Sequence, residues 1–378
     1  MEESDRIAEL SALFMFLAEH DFAGYSPLYE RIARHLAASP DLLMFVHASA
    51  APNARRGRVP VLFLATLHDQ TLRHPDTSLA AIFAGRSATD AELADAIDEL
   101  VTLDRDEIIE TMRSRSVQTN EVGRTAAIVA GLAHLGADGV LGSRRIGLVE
   151  LGPSAGLNLF ADRWHVAYMR DGAVVAEAGP EESPVRLDCE LRGPRTPGSF
   201  DVPSIGLRTG IDPAPIDASD ADQARWLRAC VWPDVPDRPQ RLAAAIAVVA
   251  EAPPTLVQGD AVTGLAPMVA AIDDRLLPVV QSTWALAYLS ADGRAAVLDG
   301  LEAIGATRDL AFLTLEEPRF TPWIETPAGI DEWYETGDGT PTMLGVRVWR
   351  DGVATSTALA MTHPHVTWMR WLDGGRDG

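Results

Sequence analysis

The spacing of apolar side chains changes once along this chain, near Gly142, and that change limits the fold more than any other feature. Before it, Ile7, Leu10, Phe14 and Leu17, then Leu28, Ile32 and Leu36, recur at the three- and four-residue spacing of helices that bury one face. Ser26 ahead of Pro27, and Thr89-Asp90 ahead of AELADAIDEL, put side-chain oxygens where first-turn amides need acceptors. After it, short β-branched runs alternate with helical ones. IGLVEL, Ile205 to Gly210, Thr255 to Gln258, Leu277 to Gln281 and Leu310 to Leu315 read as strands, with helices from Asp222 to Val231 and starting at Val262 and Asp292. Alternation of this kind makes βαβ units and a mainly parallel sheet. The expectation is an α/β chain: an all-helical N-terminal cap over 1–141, then a Rossmann-like, doubly wound, mainly parallel sheet over 142–378. A hairpin turning at Asp171-Gly172 and a Pro/Gly-rich stretch read as an insertion near 166–200. The tail MLGVRVWRDGVATSTALAM, with a second Asp-Gly turn, is expected as antiparallel C-terminal edge strands.

Length and charge narrow the functions. At 378 residues the chain exceeds one ordinary core, and 47% apolar with 23% charged residues is the balance of a compact soluble protein. The 54 acidic against 32 basic residues give a net charge of -22, which repels a phosphate backbone, so nucleic acid is not an expected partner. MEESDRIAEL reverses the basic-then-apolar order of an export signal, and the apolar run Val59 to Leu67 is too short to cross a bilayer. A cytoplasmic protein acting on a small molecule, away from membranes, is expected. Cys189 and Cys230 stand far apart and are expected as buried free thiols. His363 and His365 in THPH lack a third nearby ligand, so no metal is expected.

Chemistry concentrates in IGLVELGPSAGLNLF, a strand leading into a glycine turn and an expected helix after Gly156. Glycines there admit a ligand to the backbone, and a helix start offers free amides to an anion. A phosphate-gripping loop needs Lys-Ser or Lys-Thr after the last glycine, where this chain has Leu157-Asn158, and a dinucleotide site prefers G-x-G-x-x-G. Gly152 to Gly156 also reads as G-x-S-x-G, and the order Ser154, acid, then His363 or His365 suits a serine hydrolase. Against the hydrolase, helices rather than strands precede the motif and no HGGG-type segment lies upstream. A tight turn with no ligand uses the same residues.

The set Glu150, Gly152, Gly156 and Asn158 resembles the first motif of class I S-adenosylmethionine-dependent methyltransferases. The resemblance implies that the two glycines admit the methionine portion of S-adenosylmethionine and that Glu150 complements its ammonium. Asp212, ending IGLRTGID, stands where a doubly wound sheet offers a carboxylate to ribose hydroxyls, and a turn with Pro213 is the structural alternative. Gly259-Asp260-Ala261 resembles the adenine-facing segment of the same superfamily, with helix N-capping the plain role for Asp260. Over nearly its whole length, including SVQTNEVGRTAAIVAGL, the chain also resembles a bacterial family of unknown function. Within that segment Gln118, Asn120, Glu121 and Arg124 form a polar group that would reach over the cofactor or simply start a helix.

Methyl transfer needs an aligned acceptor and, for a protonated one, a base. Past the fourth and fifth strands, Gln281 or Ser282 would orient the acceptor, Glu316 would serve as base, and Trp284 would stack on the cofactor. Tyr25, Tyr29, Trp323, Trp333 and Tyr334 are candidate pocket aromatics. A non-catalytic protein holding the cofactor or a related nucleoside is the third reading.

Overall fold

The computed structural model describes residues 3–118, 121–328, 330 and 340–372. They form a mixed α/β structure of two compact units, Met1–Thr119 with Asp220–Ala243 and Asn120–Ser219 with Ala244–Gly378.

The first unit is helical: α1 (Glu3–Phe16), α2 (Pro27–Ala37), α3 (Pro40–Ser49), α4 (Val59–Arg73), α5 (Ser78–Phe83), α6 (Asp90–Leu103) and α7 (Arg105–Ser114). The expected starts are present. Ser26 Oγ accepts from Tyr29 N ahead of Pro27, and Thr89 and Glu92 form a reciprocal capping box. The run VPVLFLATL is helix α4, buried almost throughout from Val59 to Thr71. Asp69, within it, is 1% exposed and held by Arg73 and Arg225 at 2.7 and 2.9 Å. Among the described residues no helix is long and apolar enough to cross a membrane.

The second unit carries α8 (Thr125–Asp138), ended by Gly139 at φ 80°, and a large mostly parallel sheet. Its strands are β1 (Arg145–Leu151), β2 (His165–Arg170), β3 (Ala173–Ala178), β4 (Arg186–Leu191), β5 (Ile205–Asp212), β6 (Thr255–Gln258), β7 (Leu276–Thr283), β8 (Leu310–Glu316), β9 (Thr342–Arg350), β10 (Val353–Thr362) and β11 (Trp368–Trp371). Helix α9 (Ala221–Ala229) groups with the N-terminal helices and α8 with the sheet, so the units are not contiguous in sequence as a division at 141/142 would be. Helix α10 (Arg238–Glu251) leads back into the second unit, where α11 (Ala261–Ala270) and α12 (Ala291–Gly305) follow.

The strand order is β3-β2-β4-β11-β10-β9-β8-β7-β1-β5-β6. From β1 the parallel strands proceed to β5 and β6 on one side and to β7 and β8 on the other, so the direction of winding reverses between β1 and β7. One expectation is corrected. The hairpin of the 166–200 segment turns at Asp171-Gly172 with φ of 51° and 78°, as read, and its strands lengthen the sheet, because β4 pairs with β2 and β11. The C-terminal strands are accordingly interior, not an edge. Strand β9 shows why alternation misled: it is buried at nearly every position, which is the signature of a strand covered on both faces.

Helices cover both faces. Leu265 and Val269 of α11 and Val297 and Leu301 of α12 pack with Val149, Leu151, Val280, Phe312 and Trp349. Opposite them, Gly131 of α8 comes so near β8 that a Cβ there would lie 2.5 Å from Leu313 Cδ1. On the first face a Cβ on Gly305 would lie 2.2 Å from Trp349 Cδ1, and the indole is 1% exposed and donates to Glu302 Oε2 at 2.7 Å. Gly305→Ala is therefore expected to cost about 1–3 kcal/mol through overpacking, read as a lower urea midpoint at unchanged slope.

Candidate functional site

The turn after β1 is built on three left-handed residues, Gly152 at φ 69°, Ser154 at 51° and Gly156 at 72°. Added Cβ atoms would fall 2.9 Å from Ala285 Cβ at Gly152 and 2.8 Å from Pro254 Cγ at Gly156, so close neighbours as well as backbone angle demand glycine. The helix expected after Gly156 is absent. Leu157–Phe160 makes one 3-10 turn, with Leu157, Leu159 and Phe160 buried, and the chain then enters β2. No long helix offers its amides here.

Asp212 is committed to the turn: Oδ2 accepts from Ser154 N at 2.9 Å and Oδ1 from Ala214 N at 2.8 Å. Its structural alternative is the role seen. Asp260 is exposed and caps α11 by accepting from Val262 N at 2.9 Å, with Ala261 as the first helical residue. Gln118 belongs to the first unit, where its N–H donates to Cys230 Sγ at 3.5 Å, and Asn120 lies outside the described residues. Cys189 is buried, but Cys230 is half-buried rather than enclosed.

What the fold does bring together is a buried polar group on the face that α8 covers. Glu150, Gln281 and Leu313 are direct register partners across β1, β7 and β8, so their side chains share that face. Glu150 is 1% exposed and Gln281 fully buried. Thr283 Oγ1 donates toward Glu150 Oε1 at 3.5 Å, and Thr125 Oγ1 donates to Asn158 Oδ1 at 2.9 Å beside it. Burial pushes the Glu150 carboxyl up to about 8, opposed by Gln281, Asn158 and Thr283 and assisted by the Asp212 charge. Gln281 and Asn158 lie near enough to bias the carboxyl, yet neither Glu150 Oε2 nor either Gln281 amide atom has a well-formed hydrogen bond among the described residues. Buried polar atoms left this way are rare and call for an explanation.

Ser282 and Glu316 stand on the opposite face, because adjacent residues of a strand alternate. Gln281 and Ser282 therefore cannot address one acceptor together. Glu316 Oε1 accepts from Ser282 Oγ at 2.6 Å and from the amides of Ala285 and Leu286 at 2.8 and 3.0 Å. Burial pushes its carboxyl up to about 7, against the pull of those donors and of Arg124. It brackets the turn in which Trp284 is held at φ 60°.

Sequence reasoning noted Glu121, Arg124 and the THPH histidines without joining them. Arg124 donates from Nε to Pro364 O at 3.1 Å and from Nη1 to Thr283 O at 3.2 Å, and lies 5.9 Å from the Trp284 ring. It ties the 363–366 turn to the end of β7. Glu121, 2% exposed, sets Oε2 3.2 Å from His365 Nδ1. The signal was two polar clusters far apart in sequence, which nothing but the fold joins. Of the candidate aromatics, Tyr25 and Tyr29 pack around Trp232 in the first unit, Trp323 stacks on Phe312 in the second, and Trp333 and Tyr334 lie outside the described residues.

A family model described as "Uncharacterized protein conserved in bacteria (DUF2332)" matches residues 11–371. The chain belongs to this family. No curated protein matches it. In this DUF2332 chain the match spans both the segment carrying Glu121 and Arg124 and the turn carrying His365, so both parts of the assembly fall within the family's own limits.

Proposed function

We propose that the second unit binds S-adenosylmethionine at the carboxyl ends of β1 and β7 and serves methyl transfer to a small-molecule acceptor. The observation that carries this reading is the set of orphaned polar atoms, Glu150 Oε2 and the Gln281 amide, at the point where the winding reverses. In open α/β sheets, ligands bind outside the strand ends at that point. The order β6-β5-β1-β7-β8 supports a Rossmann-like description. Glu150 and Gln281 would hold the ammonium of the methionine portion, and Trp284 would offer its ring to the sulfonium. When bound, the cofactor supplies an electrophilic methyl group. The glycines themselves are covered by Ala285 and Pro254 and no helix dipole attracts the carboxylate, so contact would fall to the strand-end side chains, with Asp260 combining capping and contact.

An ammonium against Glu150 would draw its carboxyl from about 8 back towards ionisation, so binding would release a proton and tighten as pH rises from 6 to 8. Calorimetric titration with S-adenosylmethionine and S-adenosylhomocysteine is expected to give micromolar binding, weakened about tenfold or more in Gln281→Leu. Absence of binding to folded wild-type protein would overturn the reading. Binding without turnover over an acceptor panel would leave a non-catalytic nucleoside-binding protein.

One observation favours the hydrolase alternative: Ser154 is in the left-handed region, as the residue of a strained nucleophile turn would be. Against it, the neighbouring carboxylate Asp212 accepts from the serine's own amide. Esterase activity abolished by Ser154→Ala would move the assignment there.

A further inference from the structure

We propose that Glu121 and His365 form a proton-accepting pair, with His365 as the base and Glu121 as the positioning residue, and that the acceptor is a small molecule with an O–H or N–H proton to lose. The inference rests on the methyl-transfer reading above, whose acceptor it specifies. Glu121 Oε1 takes the Gly123 amide at 3.0 Å while Oε2 lies 3.2 Å from His365 Nδ1, within ion-pair distance. A carboxylate on that side of the ring favours the tautomer with its proton on Nδ1, leaving Nε2 to take another. The His365 side chain is 30% exposed, so its ring remains within reach of a small molecule.

The ring's position is fixed by its surroundings. His365 N–H donates to His363 Nδ1 at 3.1 Å, Arg124 holds the carbonyl of Pro364, and a Cβ on Gly123 would lie 2.8 Å from His365 O. Val366 is held at φ 55°, costly for a β-branched residue, and Trp284 at 60° lies across the Arg124 guanidinium. Strained residues of this kind gather at functional sites. Thr283 connects the pair to the buried group below, since its carbonyl accepts from Arg124 and its hydroxyl faces Glu150. Among the described residues, charged and titratable groups facing the imidazole include Glu121 from the segment before α8, Arg124 from the same segment, and His363 with ring centroids 5.5 Å apart.

The transfer balances. As the acceptor's X–H bond breaks, its electron pair stays on X and forms the bond to carbon, the pair of the carbon–sulfur bond leaves with sulfur, and the proton passes to His365 Nε2.

Nitrogen-detected NMR of histidine-labelled protein tests the pair without any ligand. The neutral His365 ring is expected to carry its proton on Nδ1, and Glu121→Gln to move the population towards the Nε2 tautomer, with Glu121→Asp restoring most of the Nδ1 form. In turnover with S-adenosylmethionine and phenol, carboxylic acid or N–H heteroaromatic acceptors, His365→Gln is expected to lower kcat about 100-fold with cofactor affinity retained. A proton on Nε2 of the wild-type ring, or a tautomer unchanged in Glu121→Gln, would overturn the pair even if the cofactor binds. Should Glu121→Gln fail to fold, the wild-type tautomer decides alone. Loss of the cofactor reading would appear separately, as absent binding by wild-type protein whose NMR signature is intact, and would overturn the acceptor class.

Discussion

Replacing Glu150 by Gln is expected to stabilise the protein at pH 8 by roughly 4 kcal/mol and to change little near pH 4. The carboxyl has an ordinary value of 4.5 and is pushed up to about 8 in the fold. In the unfolded chain it ionises from 4.5 upward, while the folded state keeps the proton until about 8, so the unfolded state binds fewer protons throughout that window. Stability from this group therefore falls as pH rises from 4.5 to 8, and a neutral amide of the same shape removes the loss. Urea titrations of both proteins at pH 4.5, 6 and 8 should show midpoints that separate progressively. Parallel curves would mean that Glu150 is solvated. The same substitution should weaken binding of a cationic ligand, so stability and binding are expected to move in opposite directions, the usual sign of a group kept for function.

Glu316→Ala is expected to have the largest cost of any substitution at the strand ends, about 3–5 kcal/mol. The reason is geometric: one oxygen accepts from Ser282 Oγ and from the amides of Ala285 and Leu286, and its removal strands three donors, two of them buried. Glu316→Gln keeps an acceptor and should recover more than half of that loss. A mobile catalytic base would behave differently, with both variants inactive and neither much destabilised. Thermal denaturation beside ligand titration separates the two roles.

Much of the sheet was legible because its strands announce themselves through β-branched runs between helical ones. Thr255 to Gln258 was read to the residue, and the capping signals at Ser26 and Thr89 were sound because caps are local chemistry. Placement of the C-terminal strands was not legible, since pairing partners are non-local: the pairing of Trp368 with Glu190 leaves no local trace in sequence. The site was legible in part for the same reason. Glu150 was found from its motif, but the opposite facing of Gln281 and Ser282 follows from register, and the meeting of Glu121 with His365 from tertiary contact alone. Gly156 misled because a glycine turn leads to a helix or a 3-10 turn with equal ease, and here Leu157, Leu159 and Phe160 are buried at once.

The parallel pairing of β4 with β11 also bears on how the molecule comes into being. Residues 190–191 must meet residues 368–369, far along the chain, before β4 gains its second neighbour. Until then the sheet exists as two fragments, β3-β2-β4 and β6 through β10, each presenting a bare row of amides and carbonyls. Late closure across so long a stretch of chain is slow, and such open rows invite other chains to add to them. The short β11 segment thus acts as a stitch, completing the hydrogen bonding of a sheet that is otherwise divided along one seam.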